Sequence, residues 1–198
     1  MVGVAQLVER WIVVPVAEGS NPSTHPKFAM PHQFSTSYLA DSLTLLRQYK
    51  SMGEGAMSQV SDEQLVQPLD PESNSIATIV KHMAGNMRSR WTDFLTTDGE
   101  KPDRDRDSEF EQPPSTRAEL MKLWDEGWGR VFAAIEPLTG ADLTRAITIR
   151  GEPHSVIQAI NRAVAHYAAH IGQIVFISKH YRAGGWKTLS MPRRKIVN

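Results

Sequence analysis

The stretch Ala163-Val164-Ala165-His166-Tyr167-Ala168-Ala169-His170-Ile171-Gly172-Gln173-Ile174 decides how this chain is read. Its small and aliphatic residues recur as on a core-facing helix. The two histidines, four residues apart, fall on one face of that helix about one turn from each other. Two imidazoles placed in this way can chelate one divalent ion. A third from another helix would leave a coordination position open, as catalytic metal sites require.

Spacing alone carries little weight. Seven histidines in 198 residues produce one such pair by chance in roughly one chain in four. The plain alternative is two surface histidines, or one buried and one exposed. The surroundings favour the metal, because an unpaired imidazole is costly to bury among Ala, Val and Ile.

Working outward, the chain turns helical at Phe34, with Leu39, Leu43, Leu46, Ala56, Met57 and Val60 in one stripe. Ser61-Asp62-Glu63 and the stretch from Pro68 to Pro71 break it. A second helix is expected from Ser73 or Asn74 as N-cap, with Ile76, Ile79, Val80, Met83, Met87, Trp91 and Phe94 as its apolar face. Thr96 to Pro114 reads as a long polar connection, a functional loop or a crossover. A third helix opens at Ser115 or Thr116 with Glu119 near its start, and Pro137 and Gly140 end it. Thr144 to His154, with Gly151-Glu152-Pro153 at its centre, is placed as a short β-hairpin. The last helix runs from about Ser155 to Tyr181, before Gly184-Gly185. The result is an all-α four-helix bundle with a long crossover between its second and third helices.

Two of these helices carry polar stripes. The second has His82, Asn86, Arg90 and Asp93, and the fourth has Arg162, His166, His170 and Gln173. If both stripes face inward, His82, His166 and His170 form a three-histidine metal site. Around it, Asn86 can orient a ligand or substrate and Tyr167 can donate a proton. Arg90 or Arg162 can hold an anionic group, and Gln173 can hydrogen-bond within the bundle. No placed carboxylate base accompanies the histidines, although Asp93 or the acidic loop could supply one. Trp124, Trp128 and Val131 on the third helix are read either as core or as the face of a homodimer.

Composition narrows the class. The 22 basic and 22 acidic residues balance, and the pI is near 7.1, which argues against a nucleic-acid protein. Arg193-Arg194-Lys195 is the only basic cluster, read as a solvated end. No apolar run approaches a membrane span. There are no cysteines, so disulfides and thiolate ligands are excluded and any thiol chemistry needs an external thiol. A cytoplasmic protein is the simplest fit.

The leader, residues 1–29, has neither helical nor strand period and lacks the parts of a secretory signal. Val4-Ala5-Gln6-Leu7-Val8-Glu9 with Gly19-Ser20-Asn21-Pro22-Ser23 resembles the opposite-strand translation of a transfer-RNA gene. A miscalled start, with the protein beginning at Met30, is therefore expected. A disordered leader is the alternative. The bundle is assigned to residues 30–198.

His82, then His166, His170, Gly172 and Gln173, resemble the pattern of the DinB-like (YfiT-like) superfamily. Lys81-His82-Met83-Ala84-Gly85-Asn86-Met87, Arg90-Trp91-Thr92-Asp93-Phe94-Leu95, Asp98-Gly99-Glu100-Lys101-Pro102 and the stretch from Trp186 to Arg193 are similar to an uncharacterised branch of it. The resemblance spans Phe34 to Arg193. It implies a helical bundle holding a divalent ion, zinc or nickel, on the three histidines. Characterised relatives include transferases and isomerases that use low-molecular-weight thiols such as bacillithiol or mycothiol. The expectation is thus a metal-dependent enzyme that transfers a small thiol to an electrophile. A metal-dependent hydrolase and a non-catalytic metal-binding bundle are the alternatives.

Overall fold

The computed structural model describes residues 34–191, with side chains from Tyr38 onward. The leader expected at 1–29, the early histidines His25 and His32 and the basic cluster at 193–195 lie outside the described residues. Four long helices make the bundle: α1 (Phe34–Met57), α3 (Ile76–Trp91), α4 (Arg117–Ile135) and α5 (Val156–Arg182). A short α2 (Asp62–Val66) follows α1. α1 packs on α5 and α4, and α3 packs on α4 and α5.

Side-chain caps set where these helices begin. Thr116 accepts from Glu119 N–H at 3.2 Å and Ser155 from Gln158 N–H at 3.2 Å, each within a capping box. Ser75, rather than Ser73 or Asn74, caps α3 by accepting from Thr78 N–H at 3.1 Å. Ser73 instead donates to Asp70 at 2.5 Å. Ser61 is likewise a cap and not a breaker. It accepts from Gln64 N–H at 3.3 Å, while Gln64 Oε1 accepts from Ser61 N–H at 2.9 Å, and this box starts α2. α3 stops at Trp91, and exposed Asp93 takes φ 47° beyond its end. Its stripe therefore ends at Arg90.

The expected hairpin is present, as β1 (Ala146–Ile149) paired antiparallel with β2 (Glu152–Ser155). Arg150 (φ 57°) and Gly151 (φ 77°) form its two-residue turn, both left-handed as a type I′ turn requires. The turn centre is thus Arg150-Gly151, and Pro153 lies within β2, opposite Thr148. β2 is an edge strand, where proline's missing N–H is tolerated.

The crossover between α3 and α4, Thr92 to Thr116, is stitched to this hairpin. Asp98 accepts from Arg150 N–H and Gly151 N–H, both at 2.8 Å, and Gly99 N–H donates to Thr148 O at 2.8 Å. Asp98→Ala is expected to lower stability by about 1–2 kcal/mol through loss of these charge-assisted bonds. Urea unfolding would read the change.

Trp124 (2 % exposed), Trp128 (0 %) and Val131 (0 %) all sit in the core. Trp128 meets Trp124 edge-on at 5.6 Å and Tyr167 at 5.5 Å. Their apolar surface is used inside the bundle, so these residues give no face to a homodimer. Among the described residues, no helix is long and apolar enough to cross a membrane.

Candidate metal centre

α3 and α5 bring the three histidines together. His82 Nε2 lies 3.3 Å from His166 Nε2, which lies 2.9 Å from His170 Nε2. The three ligand atoms fall within 4.8 Å of one another. Nitrogens sharing one tetrahedral ion at about 2.0–2.1 Å sit about 3.3 Å apart. His82 is buried and the other two are half-buried.

The opposite ring nitrogens fix the tautomers. His82 Nδ1 lies 2.9 Å from Glu109 Oε2, and a carboxylate there can only accept, so Nδ1 carries a proton and Nε2 is the nitrogen turned toward the other two rings. His170 Nδ1 donates in the same way to Gln173 Oε1 at 2.8 Å. Burial, then the neighbouring His170 and His82, push the His166 imidazole down to about 4. Burial also lowers His170, against the Gln173 bond that raises it. His166 and His170 are therefore neutral at pH 7. A neutral His166 has at most one proton on Nε2 to share with the two ring nitrogens facing it. At least one contact is then left without a hydrogen bond, an arrangement that a shared cation relieves. This donor set fits a divalent ion, with carboxylate and amide groups behind the ligands as metal histidines usually have.

Glu109 was not singled out by the sequence, beyond the general acidic-loop expectation. It sits on a 3₁₀ turn, Asp107–Phe110, inside the crossover, and it is 5 % exposed. Burial works against its charge, but the bonds from His82 and Arg104 outweigh that and hold its carboxyl below the usual range. Arg104 grips both of its oxygens, Nε at 2.7 Å and Nη2 at 2.9 Å, and also reaches Glu100 at 3.0 Å. Phe110 stacks on the His82 ring at 4.8 Å. Asp93, the other candidate base, is exposed beyond the end of α3 and does not line the site.

Gly85 is what lets Glu109 reach His82. A Cβ at Gly85 would overlap the Glu109 carboxylate. Gly85→Ala is therefore expected to push Glu109 off His82 and to weaken metal retention about 10- to 100-fold. Competition with a chromogenic chelator would measure it.

Beside the histidines lies a cavity of about 350 Å³. His82, His166, Asn86, Arg90, Tyr167 and Arg162 line it, so all but two of the site residues expected from sequence face one space. Of the other two, His170 belongs to the histidine cluster, and Gln173 acts on the site through His170. Tyr167 is fully buried. Its hydroxyl accepts from Trp91 Nε1–H at 2.9 Å and donates to Asn86 Oδ1 at 3.2 Å. Burial raises the phenol's pKa, although the Trp91 bond opposes it. The His154 side chain, on β2, bonds the Glu152 carbonyl at 3.0 Å and no other group among the described residues, and it does not line the cavity. Three further arginines reach the cavity: Arg104 and Arg106 from the crossover and Arg150 from the hairpin turn. Sequence periodicity could not have placed any of them.

Comparison with known proteins agrees with this architecture. Residues 33–195 match the family described as protein of unknown function (DUF1572). A solved structure of a DinB-like protein from Bacillus cereus ATCC 10987 matches with a TM-score of 0.52 and 16 % identity. The match covers 72 % of this chain and 89 % of that one. At that identity the likeness is one of fold, and it bears out the all-α bundle and the DinB-like resemblance. No curated protein matches the chain. By sequence and by fold, then, the chain belongs to the DUF1572 family and is built on the DinB-like bundle.

Proposed function

We propose that this protein is a divalent-metal-dependent enzyme that transfers a small thiol to an electrophilic substrate. The observation that carries the proposal is the convergence of three Nε2 atoms at the edge of a cavity. A bound divalent ion would supply a Lewis-acid position that lowers the pKa of a thiol held there. Zinc and nickel both suit three imidazoles.

The chain's own residues then bind, orient and screen. Glu109 and Gln173 accept from His82 and His170 and keep those rings turned toward the shared point. Tyr167 occupies Asn86 Oδ1, which leaves the Asn86 amide N–H groups to orient substrate in the cavity. Arg90 and Arg162 supply positive charge along the same wall. Phe110 shields one face of His82 from water. With no cysteine in the chain, the thiol comes from a cosubstrate. Such thiol pools are kept reduced in the cytoplasm, and we place the protein there. Thiol transfer is favoured over hydrolysis because Arg104 and His82 already engage both Glu109 oxygens. Those bonds hold its pKa down and make it a weak base, and Glu109 does not line the cavity where a water would be activated.

The test begins with elemental analysis of untagged protein, wild type against His82→Ala and His170→Ala. Near-stoichiometric metal lost in both folded variants supports the site, and thiol consumption with model electrophiles is then expected in wild type only. Absence of metal after reconstitution would sink the catalytic proposal. Metal without turnover on any thiol would leave a binding bundle.

A further inference from the structure

Five arginines line the cavity beside the histidines: Arg90, Arg104, Arg106, Arg150 and Arg162. They come from α3, the crossover, the hairpin turn and α5. No carboxylate lines the cavity among the described residues. Glu109 and Glu100 answer Arg104, and Glu100 also meets Arg150 at 3.4 Å. Arg90, Arg106 and Arg162 have no ion pair among the described residues.

Arg90 is the telling member. It is 9 % exposed, and its side chain has no hydrogen bond or ion pair among the described residues; Nη1 is sealed against Gly99, so the remaining donors are the ones the cavity can reach. A guanidinium stays charged in proteins and offers five donors in a fixed fork. Burial lowers its pKa; Tyr167 and Glu100 oppose that without outweighing it, and the smaller repulsion of the nearby Arg162 and Arg150 charges adds to the lowering. A buried cation left without a counter-charge is costly. The cost is recovered when an anion enters, and two neighbouring free guanidinia call for more than one negative charge. A divalent ion on the histidines would deepen the excess.

We propose that the substrate or cosubstrate of this cavity carries a dianionic oxyanion group, two carboxylates or a phosphate, seated on Arg90, Arg106 and Arg162 with its reacting end toward the histidines. This rests on the proposed function in taking the cavity as the place of reaction, yet the arginine cradle does not need the metal. Planar, bidentate donors suit both carboxylate and phosphate.

The test is calorimetric titration of the full chain with succinate, inorganic phosphate and acetate at matched ionic strength. It is run on metal-loaded and chelator-treated protein, with metal content measured on each sample. Succinate or phosphate is expected to bind more tightly than acetate in both states, and the tighter of the two names the group. Arg162→Gln and Arg106→Gln change exposed residues, and each is expected to weaken dianion binding about tenfold with metal content unchanged. Arg90→Gln should do the same, but its burial makes the two exposed variants the deciding ones. Equal binding of acetate and the dianions would overturn the proposal. So would dianion binding that is unaltered in both exposed variants, or that vanishes with the metal. Absence of metal from every sample would refute the metal reading alone and leave the anion result to stand by itself.

Discussion

His166→Ala is expected to abolish metal retention, taking the protein from near one ion per chain to almost none by elemental analysis. His166 is the middle ligand, its Nε2 set 3.3 Å from that of His82 and 2.9 Å from that of His170. Removing it leaves two nitrogens on different helices without the one between them. Two imidazoles on a bundle hold an ion far more weakly than three. The fold should survive, since His166 is only half-buried on a helix whose core contacts come from Ile160, Ala163, Tyr167, Ile171 and Ile174. Far-ultraviolet circular dichroism would check that. Retention of stoichiometric metal by a folded His166→Ala protein would refute the three-histidine site.

Glu109→Ala carries the second large effect, and it has two readouts. The carboxylate is the counter-charge of Arg104 and the acceptor for His82, with side chains 7 %, 5 % and 6 % exposed respectively. Its loss leaves a buried guanidinium paired only through Glu100. Breaking a buried ion pair from one side costs about 3–5 kcal/mol, which urea unfolding of the metal-free protein would register. Metal affinity should drop about 10- to 100-fold as His82 loses its orienting partner. Glu109→Gln keeps an acceptor for His82 but removes the charge. It should recover most of the metal affinity and little of the stability. If the two variants behaved alike in both measurements, Glu109 would be acting through packing rather than through its charge and its bond.

What could be read in advance divides along physical lines. The His166–His170 pair and the caps Thr116 and Ser155 are local signals, set by helical period and by side chains bonding the backbone three residues on. Those signals appear in the fold where the sequence put them. α2 is also a local signal, Ser61-x-x-Gln64, but the prolines that follow it made its first residues look like breakers. The polar stripe on α3 ran one turn too far in the sequence because period alone does not register a chain leaving the helix at Trp91. Glu109 and Arg104 could not be found by period at all. Glu109 meets His82 on α3 and Arg104 acts on the site through Glu109, and the crossover that carries both is held in place by bonds to other elements, among them those of Asp98 and Gly99 to the hairpin and of Lys81 to the Ser108 and Glu111 carbonyls. Arg150 becomes a cavity residue solely through the turn that Gly151 permits.

Two of the three histidines belong to α5, which is made after the other three long helices of the bundle. During synthesis a chain that has emerged only as far as α4 presents His82 and Glu109 but no site. A translating ribosome therefore releases nothing able to hold an ion at this centre until the bundle's final member is available. Domains generally fold N-terminal parts first as they emerge, so three helices and the crossover would await α5, and metal acquisition would follow the docking of α5 rather than nucleate the bundle. Products truncated before residue 166 would carry one ligand and compete for no metal at this centre.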